Sequence, residues 1–308
     1  MPRPVATPGF RQYAAALTGL PVGYLRPRPV DRAFLRGLPD AGLPTPTATV
    51  TVRALRQVPK PNPTAFVAEG CRRPATIDMA MTTLLVEHPA ARFLVDPAIC
   101  KDVERRALAE LPAILRLAVR PPAGIVSTAQ ALAEIGNPAI DFALPTHLHW
   151  DHVCGLLDLP GVPLWINAPE HDWAMTGPTA PVGGVRPALA DRPTTTFTLD
   201  GPPVLTFTAS HEVFGDSSVI AVDLAGHTPG SIGLLLHTDI GWTLLAGDAA
   251  WHHVQIDLLR QKTSYPGCLA DVDCRQAFRT LHRLHAVKDR VTIVPTHDHA
   301  ATAGLWPA

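Results

Sequence analysis

The element order of this 308-residue chain predicts an α/β fold, with two mixed β-sheets facing each other and helices on their outer faces. Three observations predict it. Hydrophobic residues make up 46% of the chain and charged residues 17%, enough apolar side chain for a sizeable buried core. Strand-like runs come in two batches, and helical segments follow each batch. The most continuous apolar runs, at 233–236 and 244–246, are of strand length.

The elements follow in chain order. Residues 1–45 are rich in Pro, Gly and Arg and read as an N-terminal extension with one short helix at 10–17; the main domain is 46–308. Alternation of β-branched residues predicts a strand at 47–55, and further strands are expected at 64–68, 82–87 and 92–95. A helix at 102–117 should break near Pro112, which cannot donate a backbone hydrogen bond. Ser127 can cap a helix at 128–135 that ends at Gly136. A buried strand at 139–144, a second at 163–167 and a helix at 169–175 follow, with Pro169 in its first turn. Residues 176–193 are dense in Gly and Pro and read as a loop over one face. The second batch of strands is expected at 204–208, 218–224, 231–237 and 242–246, then a helix at 271–286 and a strand at 291–294.

Composition narrows the function. A net charge of -1 offers no basic field for a nucleic-acid backbone. No stretch of about 18 apolar residues predicts a membrane span, and residues 1–10 hold no apolar core of a secretory signal. Five cysteines lack zinc-finger spacing and are expected to be five reduced thiols in a cytoplasmic protein. The 33 prolines are scattered, so they read as rigid loops.

The chemistry is concentrated at Thr146-His147-Leu148-His149-Trp150-Asp151-His152, directly after an expected strand. Imidazole and carboxylate ligands suit zinc, iron or manganese, and no thiolate lies within this cluster. His147 and His149, two apart on an extended turn, project to the same side. Asp151 and His152 begin the next helical turn and point elsewhere, so the cluster suits two neighbouring metals. His227, Asp248 and His297 each follow an apolar strand, where a side chain can reach a common cleft.

On these residues the chain resembles the metallo-β-lactamase-fold hydrolase superfamily, over roughly residues 47–300, through a His-x-His-x-Asp-His motif at 147–152 and the later His227, Asp248 and His297. The resemblance implies an αββα four-layer sandwich. It implies a first divalent metal on His147, His149 and His227, a second on Asp151, His152 and His297, and Asp248 bridging both. Zinc is the expected metal, with iron or manganese as alternatives. Residues 214–219 and 226–231 look most like the N-acyl-homoserine lactonase-like branch. Those lactonases carry a Tyr three residues after the bridging Asp; here that position is Trp251, which donates one hydrogen bond and cannot act as an acid.

The implied reaction is hydrolysis of a small ester or lactone by a hydroxide shared between two metals, with catalytic roles for Asp151 and Asp248. Asp151 would steer the hydroxide and pass a proton to the leaving group. Trp150, Trp251, His252, Tyr265 and Met79 are expected to line the substrate pocket, and Asp96 and His299 to support the ligands from behind. The alternatives are a thioester hydrolase of the glyoxalase-II-like type and a non-enzymatic metal-binding protein. The N-terminal extension is expected to line the pocket or to serve a homodimer.

Overall fold

The computed structural model describes residues 10–177 and 179–305. As expected, it is built on two mixed sheets. Thirteen strands are assigned among the described residues: β1 (Thr51–Ala54), β2 (Lys60–Pro63), β3 (Thr76–Met79), β4 (Leu84–His88), β5 (Ala91–Val95), β6 (Phe142–Ala143), β7 (Leu164–Asn167), β8 (Thr194–Phe197), β9 (Ser210–Glu212), β10 (Val219–Asp223), β11 (Ile232–Thr238), β12 (Gly241–Gly247) and β13 (Thr292–Pro295). One sheet has the order β1-β4-β5-β6-β7-β8 and the other β13-β12-β11-β10-β9; β2 and β3 form a separate ribbon.

Strand periodicity explains the layering. Successive strand residues face opposite sides, so one strand can serve two cores. Leu84 and Val86 of β4 and Phe93 and Val95 of β5 point inward, against Leu234 and Leu236 of β11, Leu245 of β12 and Val294 of β13. Leu85 and Leu94 face outward, under a layer that includes Val103, Leu132, Trp150, Trp173 and Leu189. On the other sheet Leu235 and Leu244 face outward, under Ile256, Leu281, Leu284 and Val287. The helix Cys274–Val287 that supplies most of that cover is capped by Asp273, whose side chain accepts from the backbone N–H groups of Arg275 and Gln276. Leu234 is wholly buried between the sheets. Leu234→Ala should therefore cost about 2–5 kcal/mol in denaturant unfolding at an unchanged slope, and a loss below about 0.5 kcal/mol would contradict this packing.

Several expectations are corrected. Residues 64–68 do not form a strand: Thr64–Val67 is one helical turn, with the Thr64 hydroxyl bonded to the Pro74 carbonyl. Residues 204–208 form a tight turn closed by the Val204–Phe207 bridge, with Leu205 at φ 51°. The first helix runs from Phe10 to Leu25, well past the expected end. Residues 176–193 carry a helix at Val185–Leu189. β8, β9 and the helix His253–Leu258 were not foreseen; the TTTF of β8 has an exposed face that weakens the apolar signal. The expectation of five thiols also fails. Cys268 and Cys274 are joined in a disulfide, because the turn after Thr263 brings their Cα atoms to 5.4 Å. Cys71, Cys100 and Cys154 are free and buried. Among the described residues no helix is long and apolar enough to cross a membrane.

Candidate metal centre

Seven side chains arrive at one edge of the sandwich from four chain segments. His147 follows β6, and His149 is the N-cap residue of the short helix Trp150–Val153, which carries Asp151 and His152. His227 lies in the turn between β10 and β11, Asp248 directly after β12 and His297 two residues after β13. Two glycines permit this approach. A Cβ on Gly226, at φ +132°, would lie 2.3 Å from the Ala277 backbone nitrogen; on Gly247, at φ +51°, it would meet the Thr146 hydroxyl at 2.5 Å.

The donor atoms form two groups. His147 Nε2 and His149 Nδ1 are 3.1 Å apart, and His149 Nδ1 lies 2.8 Å from His227 Nε2. His297 Nε2 lies 3.1 Å from Asp248 Oδ1 and 3.6 Å from Asp151 Oδ2, and His152 Nε2 lies 3.2 Å from Asp248 Oδ1. Asp248 faces both groups, since its Oδ2 lies 3.2 Å from His227 Nε2. Two ligands held at about 2.0–2.1 Å from a tetrahedral zinc are about 3.3 Å apart, so these spacings suit divalent metal ions. His152 Nε2 and Asp248 Oδ1 are buried and make no well-aligned hydrogen bond despite their 3.2 Å approach, as atoms arranged to bind a cation would be.

Burial and neighbouring charge set the electrostatics. Burial, reinforced by the surrounding histidines, holds His147 and His149 well below the usual imidazole range. Burial acts in the same sense on His152, but Asp96 and Asp248 outweigh it and push it well up. His297 is raised against its burial by Asp248 and Asp151. Asp248 would be raised by burial, yet His297 and His152 hold it well below the carboxylate range.

Asp96 stands behind the ligands. Its Oδ2 lies 2.9 Å from His152 Nδ1 and accepts from the hydroxyls of Thr146 and Thr296; its Oδ1 accepts from the Thr146 backbone N–H at 2.7 Å. His297 donates through Nδ1 to the Ala80 carbonyl at 2.8 Å. Such contacts fix which ring nitrogen faces the centre. The structure does not give His299 this position. Its ring makes no hydrogen bond to the seven among the described residues; the neighbouring Asp298 instead accepts from the backbone and ring of His253.

A cavity of about 840 Å³ opens onto Asp151, Asp248, His149, His227 and His297. Trp150, Trp251, Tyr265 and Met79 line it. His252 does not. It faces the other way, with Nδ1 accepting the Val254 N–H to cap the helix His253–Leu258. Gln12, Leu17 and Leu20 of the first helix form part of the wall. The Trp251 indole donates to Asp248 Oδ2 at 2.7 Å.

Three polar residues at the centre were not foreseen. Glu170 is fully buried and accepts from the Leu148 N–H at 2.7 Å, the Thr228 hydroxyl at 2.7 Å and the Gly230 N–H at 3.0 Å. It thereby ties the loop of His147 and His149 to that of His227, and burial raises its carboxyl despite these donors. Asp271 lies 2.7 Å from His227 Nδ1, and Lys262 lies 2.8 Å from Asp271. An acid on a short helix and an isolated lysine read as surface residues, so no local pattern marks them; the scarcity of lysine, four in the chain, was the one available hint.

Comparison with known proteins supplies the family. Residues 79–297 match the family model described as the metallo-beta-lactamase superfamily. The chain belongs to that superfamily, and it is by class a metal-dependent hydrolase. It is 29% identical over 176 residues to the N-acyl homoserine lactonase AttM of Rhizobium radiobacter, an alignment covering 56% of this chain and 64%, just under two thirds, of that protein. Its fold is similar to an N-acyl homoserine lactone hydrolase solved with the product N-hexanoyl-L-homoserine at its catalytic metal centre; the TM-score is 0.59, with 16% identity, over 83% of this chain and 95% of the other. AidC, a dizinc quorum-quenching lactonase, superposes with a TM-score of 0.53 and 15% identity over 83% of this chain and 90% of its own.

Proposed function

We propose that the chain is a dinuclear hydrolase of small, uncharged esters or lactones. The observation that carries this reading is Asp248, whose two oxygens address two separate groups of donors at the floor of the cavity. In this reading His147, His149 and His227 hold one divalent ion, Asp151, His152 and His297 hold the other, and Asp248 is shared. Zinc is the proposed metal, with iron or manganese as alternatives, since all seven donors are imidazole or carboxylate. Bound there, two such ions would supply an electrophile for the substrate oxygen and a water that ionises near neutral pH.

The chain's own residues do the rest. Asp151 lies on the cavity wall, where its carboxylate can take a proton from the attacking water and return it to the leaving alkoxide. The Trp251 N–H is engaged by Asp248, so it orients that carboxylate instead of donating to a substrate carbonyl. Leu17, Leu20, Met81, Leu115, Val119 and Val182 give the cavity an apolar wall that favours an acyl or aromatic group and excludes water. On that wall Arg120 pairs with Glu104 at 3.0 Å, and the Lys60 ammonium donates to the Arg120 carbonyl. The predominance of apolar side chains favours a neutral ester over the acidic thioesters of the glyoxalase-II type.

The test is a panel of chromogenic lactones, carboxylic esters, thioesters and phosphoesters, assayed with metal-loaded and chelator-stripped protein. Hydrolysis of neutral esters or lactones that is lost with the metal and returns with zinc is expected. Full metal content with no cleavage across the panel would favour the non-enzymatic metal-binding protein.

A further inference from the structure

Of the four lysines, Lys262 is the one fully buried, at 1% exposure. Its ammonium donates to the Asp248 carbonyl at 2.6 Å and to Asp271 Oδ1 at 2.8 Å, lies 3.1 Å from His227 Nδ1, and sits 4.9 Å from the centre of the Trp251 ring. Asp271 is equally buried, and the same Oδ1 lies 2.7 Å from His227 Nδ1. Its backbone is registered on the His227 turn: the Val272 N–H donates to the His227 carbonyl and the Asp273 N–H to the Gly226 carbonyl, both at 2.9 Å. Removing two charges from water is costly, and a buried ion pair is weak as a source of stability. The pair's contacts run instead to one donor histidine, the shared carboxylate and the indole that binds that carboxylate.

We infer that Lys262 and Asp271 form a charge-balanced positioning pair for the site of His147, His149 and His227, an inference that rests on the two-metal reading above. Asp271 accepts the Nδ1 hydrogen of His227, which leaves Nε2 to face the site. Lys262 cancels the carboxylate's charge and anchors the backbone of Asp248. The other half of the centre is built differently. Behind His152, which lies 2.9 Å away, Asp96 is met by the Thr146 N–H and the Thr146 and Thr296 hydroxyls, with no lysine or arginine within hydrogen-bond distance among the described residues. The two halves therefore differ in outer charge, and only the first depends on a lysine.

The full chain is titrated with cobalt as the probe, following both stoichiometry and the visible ligand-field bands. Asp271→Asn leaves the ammonium unbalanced 3.1 Å from His227 Nδ1 and should weaken one of two cobalt ions by about 10–100-fold, with a shifted band, leaving the other unchanged. That ion should be the one lost in His227→Ala. Adding Lys262→Met to Asp271→Asn removes the unbalanced charge and should recover part of the loss, a rescue that a purely structural role does not predict. If the single variant fails to fold, the neutral double variant carries the test, since exchanging a buried pair for uncharged residues is close to neutral for folding. It should bind one ion about tenfold more weakly than the parent. Unchanged binding in either variant, or a loss in the double variant as large as in Asp271→Asn alone, overturns the pair's role. Two cobalt ions bound by the parent with no ester cleaved overturns the hydrolase reading alone, and the variant titrations still decide the pair.

Discussion

Asp248→Ala protein is expected to lose one or both metals and its ester or lactone hydrolysis together. Its two oxygens reach both groups of donors: one lies 3.1–3.2 Å from His297 and His152, and the other 3.2 Å from His227. Its removal leaves each proposed ion one ligand short and unfastens the spacing between them. A loss of about 4 kcal/mol of transition-state stabilisation corresponds to roughly a thousandfold in kcat/KM. Metal analysis alongside kinetics checks this directly. A variant with full metal content and activity within about tenfold of the parent would remove Asp248 from the centre of the proposal.

Glu170→Ala should have the largest effect on stability of any single change near the site. The carboxylate satisfies three buried donors, on Leu148, Thr228 and Gly230, and alanine would leave all three without an acceptor. Each orphaned buried group costs about 1–3 kcal/mol, so a total near 3–5 kcal/mol is expected after relaxation. The donors lie beside His147, His149 and His227, so metal content should fall in step. Urea unfolding with metal analysis separates the two effects, and an unchanged midpoint would show that Glu170 does not hold these loops together. Glu170→Gln, which keeps one carbonyl acceptor, should fall between the parent and the alanine variant.

Much of this candidate centre can be read in the linear chain because its candidate ligands are local in sequence or placed by strand ends. His147, His149, Asp151 and His152 lie within six residues, and a tight turn followed by one helical turn leaves them few directions to point. His227, Asp248 and His297 each follow an apolar run, and the end of a sheet is where such residues meet. Long apolar strands with clear flanking turns, such as β11 and β12, were equally readable. Short or half-exposed ones, such as β8 and β9, carry too little periodic signal. The turn at 204–208 misled because its apolar residues are buried by long-range packing rather than by pairing in a sheet.

What the chain alone determined is the two-sheet architecture, the candidate donor set and the apolar, weakly charged character of the molecule. What only the tertiary structure decided is the support behind the donors. Glu170 belongs to two loops at once, Lys262 reaches Asp248 and Asp271, and Cys268 meets Cys274 where the chain turns back. His252, which looked like a pocket residue by proximity to Asp248, turns away to cap a helix. The physical reason is the same in each case. A donor's chemistry is carried by its own side chain, whereas the hydrogen bonds that orient it come from segments 22–217 positions away or from the direction a side chain takes once its neighbours are packed.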